Sequence, residues 1–341
     1  MKVCELGEFG LIERLSEMIA SQSRKPAFSD NRLLIGIGDD AAAWKSDSLI
    51  QLVTTDSLIE DIHFTLETAT WEEIGWKSLA VNLSDIAGMG GLPRYALVSL
   101  GLPGDTEVDD ITALYGGMIE ISGEYEVAII GGDTVSAPRV VINITVLGDN
   151  GSPDGPILTR SAALPGDVIA VTGTLGAAAG GFEMFRSDLS LGPEAAASLR
   201  EACLRPHPRV TEGRILVENG IKAAMDISDG LVADLDHICR MSGVGARVEV
   251  DRVPVSSAVK ECFPDRTLEF ALSGGEDYEL LFTAIPGNID RVKAAASCPV
   301  NIIGDVIAGD IHKTILVDNT GSHVSLPGTG WDHFRTGRSQ K

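Results

Sequence analysis

LIQLVTTDS, residues 49–57, passes from an apolar run into two threonines and an acid, and the same grammar recurs along the chain. The other instances are GIGDDAA at 36–42, LSDIAGMGG at 83–91, GGDT at 131–134, DISDG at 226–230 and SGGEDYE at 273–279. Short apolar runs read as buried strands, so each acid falls where a strand leaves the core. Scattered surface acids need neither glycine turns nor an apolar lead-in. Carboxylates gathered at strand ends repel one another, which points to a bound cation. Mg²⁺ fits, because it is usually held by one or two carboxylates together with substrate phosphates. The first expectation is a metal-dependent phosphate site in an α/β or α+β protein.

At 341 residues the chain is too long for one ordinary core, and two domains are expected. DNGSPDGPI at 149–157 is its most turn-rich stretch and sets the expected division at 1–150 and 151–341. Lys and Arg number 27 against 49 Asp and Glu, a net charge of −22. That balance argues against nucleic acid and anionic membranes as partners, since no basic face is available to displace counterions. No apolar run approaches the roughly 18 residues that span a bilayer. MKVCELGEFGLIERL at the N-terminus lacks the apolar core of a signal peptide, so a cytoplasmic protein is expected. Cys4, Cys203, Cys239, Cys262 and Cys298 include no Cys-x-x-Cys pair. Buried free thiols are expected rather than zinc ligands or a disulfide framework.

Phe9, Ile12, Leu15 and Ile19 recur at helical spacing. Strands are expected at 33–37, 50–54, 95–102, 127–131 and 139–148. In the last of these Val140, Ile142, Ile144 and Val146 alternate with neighbours that include Asn143 and Thr145, as in a half-buried antiparallel strand. Thr70-Trp71-Glu72-Glu73 is a capping-box pattern that opens a helix, and Leu79, Leu83 and Ile86 give it an apolar stripe. Asp85 lies about 120° off that stripe and is free to face a site. A second helix is expected at 107–123. Beyond the boundary, strands are expected at 168–172, 222–227, 246–250, 279–284, 299–306 and 313–317. Helices are expected near 177–187, 193–204, 208–219, 229–242 and 287–297.

GIGDDAA contains a Gly-x-Gly, but Asp39 and Asp40 stand where bare phosphate oxygens would sit and the third glycine is missing. That pair either ligates a cation or faces solvent. Thr54, Thr55 and Asp56 offer alternating side-chain and carbonyl oxygens, good magnesium chemistry and also an ordinary strand end. In GGDT the glycines allow close backbone approach to a phosphate, with Asp133 available for metal. Ser228, between Asp226 and Asp229, is either a helix N-cap or a phosphate contact at a helix N-terminus. Glu276 and Asp277 follow two glycines and read either as an exposed turn or as part of the site. GTLGAAAGG at 173–181 has no Lys-Ser/Thr ending, so close helix packing is its better reading. Arg160 is suited to bidentate phosphate contact from the second domain, although a surface arginine is commoner. A lone His63 is more often structural.

Taken in order, GEFGLIERL, GIGDDAA, TTDSLIEDIHF, KSLAVNLSDIAGMGG, IIGGDT, LTRS, AMDISDGL, ALSGGEDYELLFT and WDHF resemble the thiamine-monophosphate kinase family over nearly the whole chain. Its superfamily includes aminoimidazole ribonucleotide synthetase and selenophosphate synthetase. The resemblance implies an N-terminal α/β lobe whose sheet dimerises into a barrel, and a C-terminal α+β lobe. ATP as co-substrate and several Mg²⁺ ions would lie between the lobes, with thiamine monophosphate as acceptor. Carried onto this sequence, the metal ligands are Asp40, Thr54, Thr55, Asp56, Asp85, Asp133, Asp226 and Asp229. Asp40, Asp85, Asp133 and Asp226 form the implied catalytic set. Gly132, Asp133, Arg160 and Ser228 match ATP contacts, while His63, Glu276 and Trp331 match positions near thiamine monophosphate.

Two departures stand out: Asp61 replaces a usual glycine before His63, and Ala162 replaces one after Arg160. No catalytic Cys or Lys sits in a glycine-rich N-terminal arm, as in selenophosphate synthetase. The tail GRSQK lacks the terminal Cys of the related hydrogenase maturation protein. Another ATP-dependent synthetase of the superfamily is the alternative enzyme. An acidic Ca²⁺-binding protein is the alternative from another class, and the lack of a D-x-D-x-D-G loop counts against it.

Overall fold

The computed structural model describes residues 33–35, 39–46, 49–153, 155–309 and 313–325. Six strands form the first sheet: β1 (Leu33–Ile35), β2 (Ala42–Ser46), β3 (Leu49–Ile59), β4 (Leu92–Leu102), β5 (Ala128–Ser136) and β6 (Val141–Asp149). Their order is β1-β2-β3-β6-β4-β5. Strand β6 pairs antiparallel with both β3 and β4, whereas β4 and β5 are parallel. A parallel pair needs a crossover, which helix α2 (Val108–Glu124) supplies. Along β3, Leu52, Thr54 and Leu58 are buried while Thr55 and Ser57 are exposed, so among the described residues one face of the sheet is covered and the other is not.

Helix α1 (Trp71–Gly88) lies on the covered face. Its capping box is present: Glu73 N–H donates to Thr70 Oγ1 at 3.3 Å, and Thr70 N–H to Glu73 Oε2 at 2.8 Å. The amphipathic stripe is not. Every residue from Ile74 to Ser84 is buried, because α1 is enclosed by the sheet, by α2 and by a helix of the second lobe. Contact with α2 is backbone against backbone. A Cβ on Gly75 would overlap the Leu114 carbonyl, and one on Gly117 would overlap the Glu72 carbonyl.

The second sheet comprises β7 (Val168–Thr172), β8 (Ala223–Asp226), β9 (Gly245–Glu249), β10 (Leu280–Ala284), β11 (Val300–Ile307) and β12 (Thr314–Val317), in the order β12-β9-β11-β7-β10-β8. Only β9 and β12 pair in parallel. Helices α3 (Ala177–Arg186), α4 (Pro193–Leu204), α6 (Leu231–Ser242), α7 (Ser257–Cys262) and α8 (Thr267–Ser273) contribute to the core on one face, around Leu199, Leu235, Val259 and Leu272. Helices α5 (Val210–Glu218) and α9 (Pro286–Ala295) cover the other with Leu216, Ile289 and Val292. Burial on both faces explains why β8 and β10 are apolar without alternation. Helix α5 also reaches back to α1, where a Cβ on Gly213 would overlap the Ala87 carbonyl.

Most expected elements are present; β2, α7 and α8 were not anticipated. At six and seven residues, α7 and α8 are too short to display a helical period. Residues 9–19 lie outside the described residues. Cys203 and Cys239 are buried free thiols as expected, but Cys262 and Cys298 are only partly buried.

Gly117→Ala is expected to destabilise the protein by about 1–3 kcal/mol or more, because the overlapping atom is backbone and cannot move aside. Gly116→Ala, with nothing within 4 Å of the added carbon, should be neutral or stabilising in the same helix. Urea unfolding of the two variants checks the contrast, and equal effects would refute the close-approach account.

Candidate active site

Acids from both lobes converge beside α1. Strand β3 supplies Thr54 and Asp56, α1 supplies Ser84 and Asp85, Asp39 and Asp40 precede β2, and Asp226 ends β8. Thr54 Oγ1 donates to Asp85 Oδ2 at 2.5 Å, and Ser84 Oγ donates to Asp226 Oδ2 at 2.6 Å. Arg160 donates from Nε to Asp40 Oδ1 at 2.8 Å and from Nη2 to the same oxygen. Its backbone N–H donates to Asp39 Oδ2 at 3.2 Å. Gly88 is glycine because a side chain there would overlap Asp40 Oδ2.

Burial, then the charges of Asp56, Asp226 and Asp40, push the Asp85 carboxyl well above the usual range. Burial and the Asp40 charge raise Asp226 to about 7 and Asp39 to about 6. Burial also lifts Asp40 and Asp56, the first against the opposing pull of Arg160. This is an arrangement short of positive charge. Asp40 Oδ2 is buried with no hydrogen bond of good geometry, although the Asp226 N–H also favours the Asp40 carboxylate, and a cation would satisfy that oxygen. Among the described residues no three acidic, His or Cys side chains close into a metal cage. Mg²⁺ needs no such cage, since it commonly keeps several waters and takes one or two carboxylates with substrate phosphates. The donor set fits the ion.

The DISDG loop is backed by SGGEDYE. Glu276 N–H donates to the Ser228 carbonyl at 2.8 Å, and Tyr278 N–H to the Ile227 carbonyl at 2.9 Å. Both Glu276 (φ 58°) and Tyr278 (φ 49°) adopt the left-handed conformation, uncommon outside glycine. Glu276 Oε1 pairs at 3.0 Å with Lys77 Nζ, a buried ammonium on α1. Burial pushes Lys77 down, but the Glu276 charge, Cys203 and the hydrogen bond to Glu276 together more than offset it and leave the pKa raised. Asp277 is not a solvated turn residue: both of its oxygens accept the Gly176 N–H at 2.9 Å, and burial raises it to about 8. Glu279 is held by Arg209 at 2.5 and 2.7 Å. Gly230, not Ser228, is the N-cap of α6, so the capping reading of Ser228 fails.

Some residues implied by the resemblance stand apart. Thr55 points to the uncovered face, where its Oγ1 donates to the Ile144 carbonyl and accepts from Thr145 Oγ1, each at 3.0 Å. Asp133 is exposed on edge strand β5, in register with Ser99, Asn143 and Ser57 on that same uncovered face. Three strand spacings separate β5 from β3, about 14 Å. Gly132 has a packing reason to be glycine, since a Cβ would overlap the Val98 carbonyl. His63 Nδ1 accepts from Ile59 N–H at 3.0 Å in the turn after β3. In that turn Asp61 has φ 62°, which accounts for the family's glycine, and pairs with Arg139 at 2.6 Å. In GTLGAAAGG the packing reading holds, because a Cβ on Gly181 would overlap the Leu199 carbonyl of α4. Trp331 lies outside the described residues. Lys77, Ser84 and Tyr278 were missed by sequence reasoning, although Lys77 and Ser84 sit two turns apart on one face of α1.

The family model of the AIR synthase related protein N-terminal domain matches residues 38–149, and that of the C-terminal domain matches residues 165–317. The chain is 39% identical over 342 residues to thiamine-monophosphate kinase of Salmonella typhimurium, spanning 97% of this chain and 99% of the relative. Against the Bacillus subtilis enzyme it is 36% identical over 310 residues, 88% and 94% of the two chains. A solved structure described as AaThiL complexed with AMPPCP and TMP aligns with a TM-score of 0.83 and 31% identity, covering 98% and 99%. Hydrogenase maturation protein HypE shares the fold at a TM-score of 0.66 and 20% identity, over 86% and 94% of the chains.

With a pKa raised from 3.8 to about 7, Asp226 holds more protons folded than unfolded, so its contribution to stability falls as pH rises through that window. Without divalent cations, Asp226→Asn is expected to be more stable than the parent at about pH 8, by on the order of a few kcal/mol. The gap should close toward acid pH. Urea unfolding in EDTA across the window checks this, and a gap independent of pH would contradict it.

Proposed function

The chain belongs to the thiamine-monophosphate kinase family of AIR synthase related proteins, and from that premise we propose how its residues carry out the transfer. The reaction is ATP-dependent phosphorylation of thiamine monophosphate. What carries the mechanism is the convergence of Asp40, Asp56, Asp85 and Asp226, with one buried Asp40 oxygen lacking a hydrogen bond of good geometry. Asp40, Thr54, Asp56, Asp85 and Asp226 would hold Mg²⁺, with Asp229 on the neighbouring loop. Thr55 has only its main chain to offer. The ions supply the positive charge that two phosphate-bearing substrates and a chain of net charge −22 otherwise lack.

A phosphate oxygen of thiamine monophosphate attacks the γ-phosphorus in line. The bond to the β–γ bridging oxygen breaks, and ADP leaves with that electron pair. No general base is needed, because the attacking phosphate is already ionised. Positioning and charge neutralisation are what phosphoryl transfer requires. Arg160 exchanges Asp40 for phosphate oxygens, to which its planar fork is matched. Ser228 contacts the nucleotide through its hydroxyl. Glu276, fixed by Lys77, and His63 face the thiamine moiety, and Trp331 stacks on the thiazolium cation.

The two domains divide at 150/151 in this reading, and the enzyme acts in the cytoplasm. No helix among the described residues is long and apolar enough to cross a membrane. The assembly is a homodimer through the uncovered sheet face, where Tyr95, Leu97 and Val135 are 50%, 38% and 55% exposed. Asp133 and Gly132, about 14 Å across the sheet from Asp56, then serve the partner's nucleotide.

An ADP-coupled assay with thiamine monophosphate and Mg²⁺ tests the reaction. Asp85→Asn should lower kcat about a hundredfold or more while leaving the fold intact, and near-normal turnover would sink the carboxylate-cluster mechanism. For the dimer, inactive Asp133→Asn and Asp85→Asn chains are to be mixed after separate purification. Recovered activity is expected if Asp133 acts across the interface, whereas a mass of 36.0 kDa by light scattering would rule the dimer out.

A further inference from the structure

Asp234 lies one turn into α6 and is 1% exposed, a buried carboxylate that the reaction as derived does not use. Its Oδ2 accepts three consecutive backbone N–H groups, from Ser228 at 3.1 Å, Asp229 at 3.2 Å and Gly230 at 3.1 Å. They belong to the two residues that precede the helix and to its N-cap, Gly230. All three are taken by one carboxyl oxygen that reaches back from within the helix. These three N–H groups are thereby unavailable to a phosphate. Burial and the charges of Asp229 and Asp226 push the Asp234 carboxyl up, while three N–H donors favour its charged form.

SGGEDYE holds the carbonyls of Ile227 and Ser228, and Asp234 holds the N–H groups of 228–230. Gly230 adopts φ 115° and ψ 145° without a side-chain cap, and Gly275 packs against the Ser228 carbonyl from behind. We propose that Asp234 is a positioning residue for the nucleotide: it folds 228–230 around one oxygen so that the Ser228 hydroxyl and the Asp229 carboxylate, rather than the backbone N–H groups, are presented to the metal–nucleotide complex. This rests on the reading of Ser228 and Asp229 given above. Asp234 touches neither substrate, and its effect passes through the two residues it holds.

Two measurements test it. In the nucleotide-free parent, hydrogen exchange at the amides of 228–230 should be strongly slowed, and unprotected exchange there would overturn the proposal even if every variant failed to fold. Asp234→Asn keeps the shape and one acceptor oxygen but removes the charge. Its Kd for the magnesium complex of AMPPCP, by calorimetry, should rise about tenfold, as for a lost charge-assisted hydrogen bond. KM for thiamine monophosphate should stay within about twofold. A lowered melting temperature with unchanged Kd would make Asp234 a structural residue only and overturn the proposal. Because nucleotide binding is read without the acceptor, a parent that binds AMPPCP yet does not phosphorylate thiamine monophosphate would sink the proposed reaction alone.

Discussion

Like charges buried between the two lobes set the terms for the residues around them. At an effective dielectric of 20, two unit charges about 4 Å apart repel by roughly 4 kcal/mol, and this protein gathers four carboxylates. Arg160 supplies the cation for Asp40 and the hydroxyls of Thr54 and Ser84 answer Asp85 and Asp226; proton uptake by the raised acids absorbs more. Glycine at 88 keeps the space that Asp40 needs. Such a cluster is a standing cost to the folded state. A screen for heat resistance alone would favour substitutions that neutralise it, and with them the loss of function.

Much of this arrangement was legible in the sequence because strand and motif coincide. TTDS, LSD and DISDG each end or border an apolar run, and a strand end is a place where position in the fold can be read from order along the chain. The elements that escaped notice lack that advantage. Helices α7 and α8 are shorter than two full periods of their own pattern. Lys77 reads as a surface lysine on a helix until α1 proves to be enclosed, and enclosure depends on α5, a helix more than a hundred residues away. The separation of Thr55 and Asp133 from the cluster was likewise invisible, since the face of a strand residue depends on a register that no motif states.

The helix that opens after DISDG illustrates how a local rule can be reversed by one side chain. A phosphate-binding helix terminus was a fair expectation from sequence order, and the position of the turn agrees with it. Asp234 accepts the N–H groups of that turn from within the helix, which withdraws them from any phosphate. The aspartate's role depends on the backbone curling around it, which cannot be read from a residue six positions after the motif's serine.

Helix α1 meets α2 and α5 through glycines whose neighbours are main-chain carbonyls: Gly75 and Gly117 on one side, Gly213 on the other. Main chain in contact with main chain leaves no flexible side chain to act as a bearing. The helix therefore behaves as a fixed beam, unable to slide or roll without breaking several contacts together. Lys77, Ser84 and Asp85 are mounted on that beam. Adjustment to a nucleotide or its product must be made by the parts hung from it, the turn after β3 and the loops at 226–230 and 273–279, so the geometry of the acids on α1 is the datum against which those loops move.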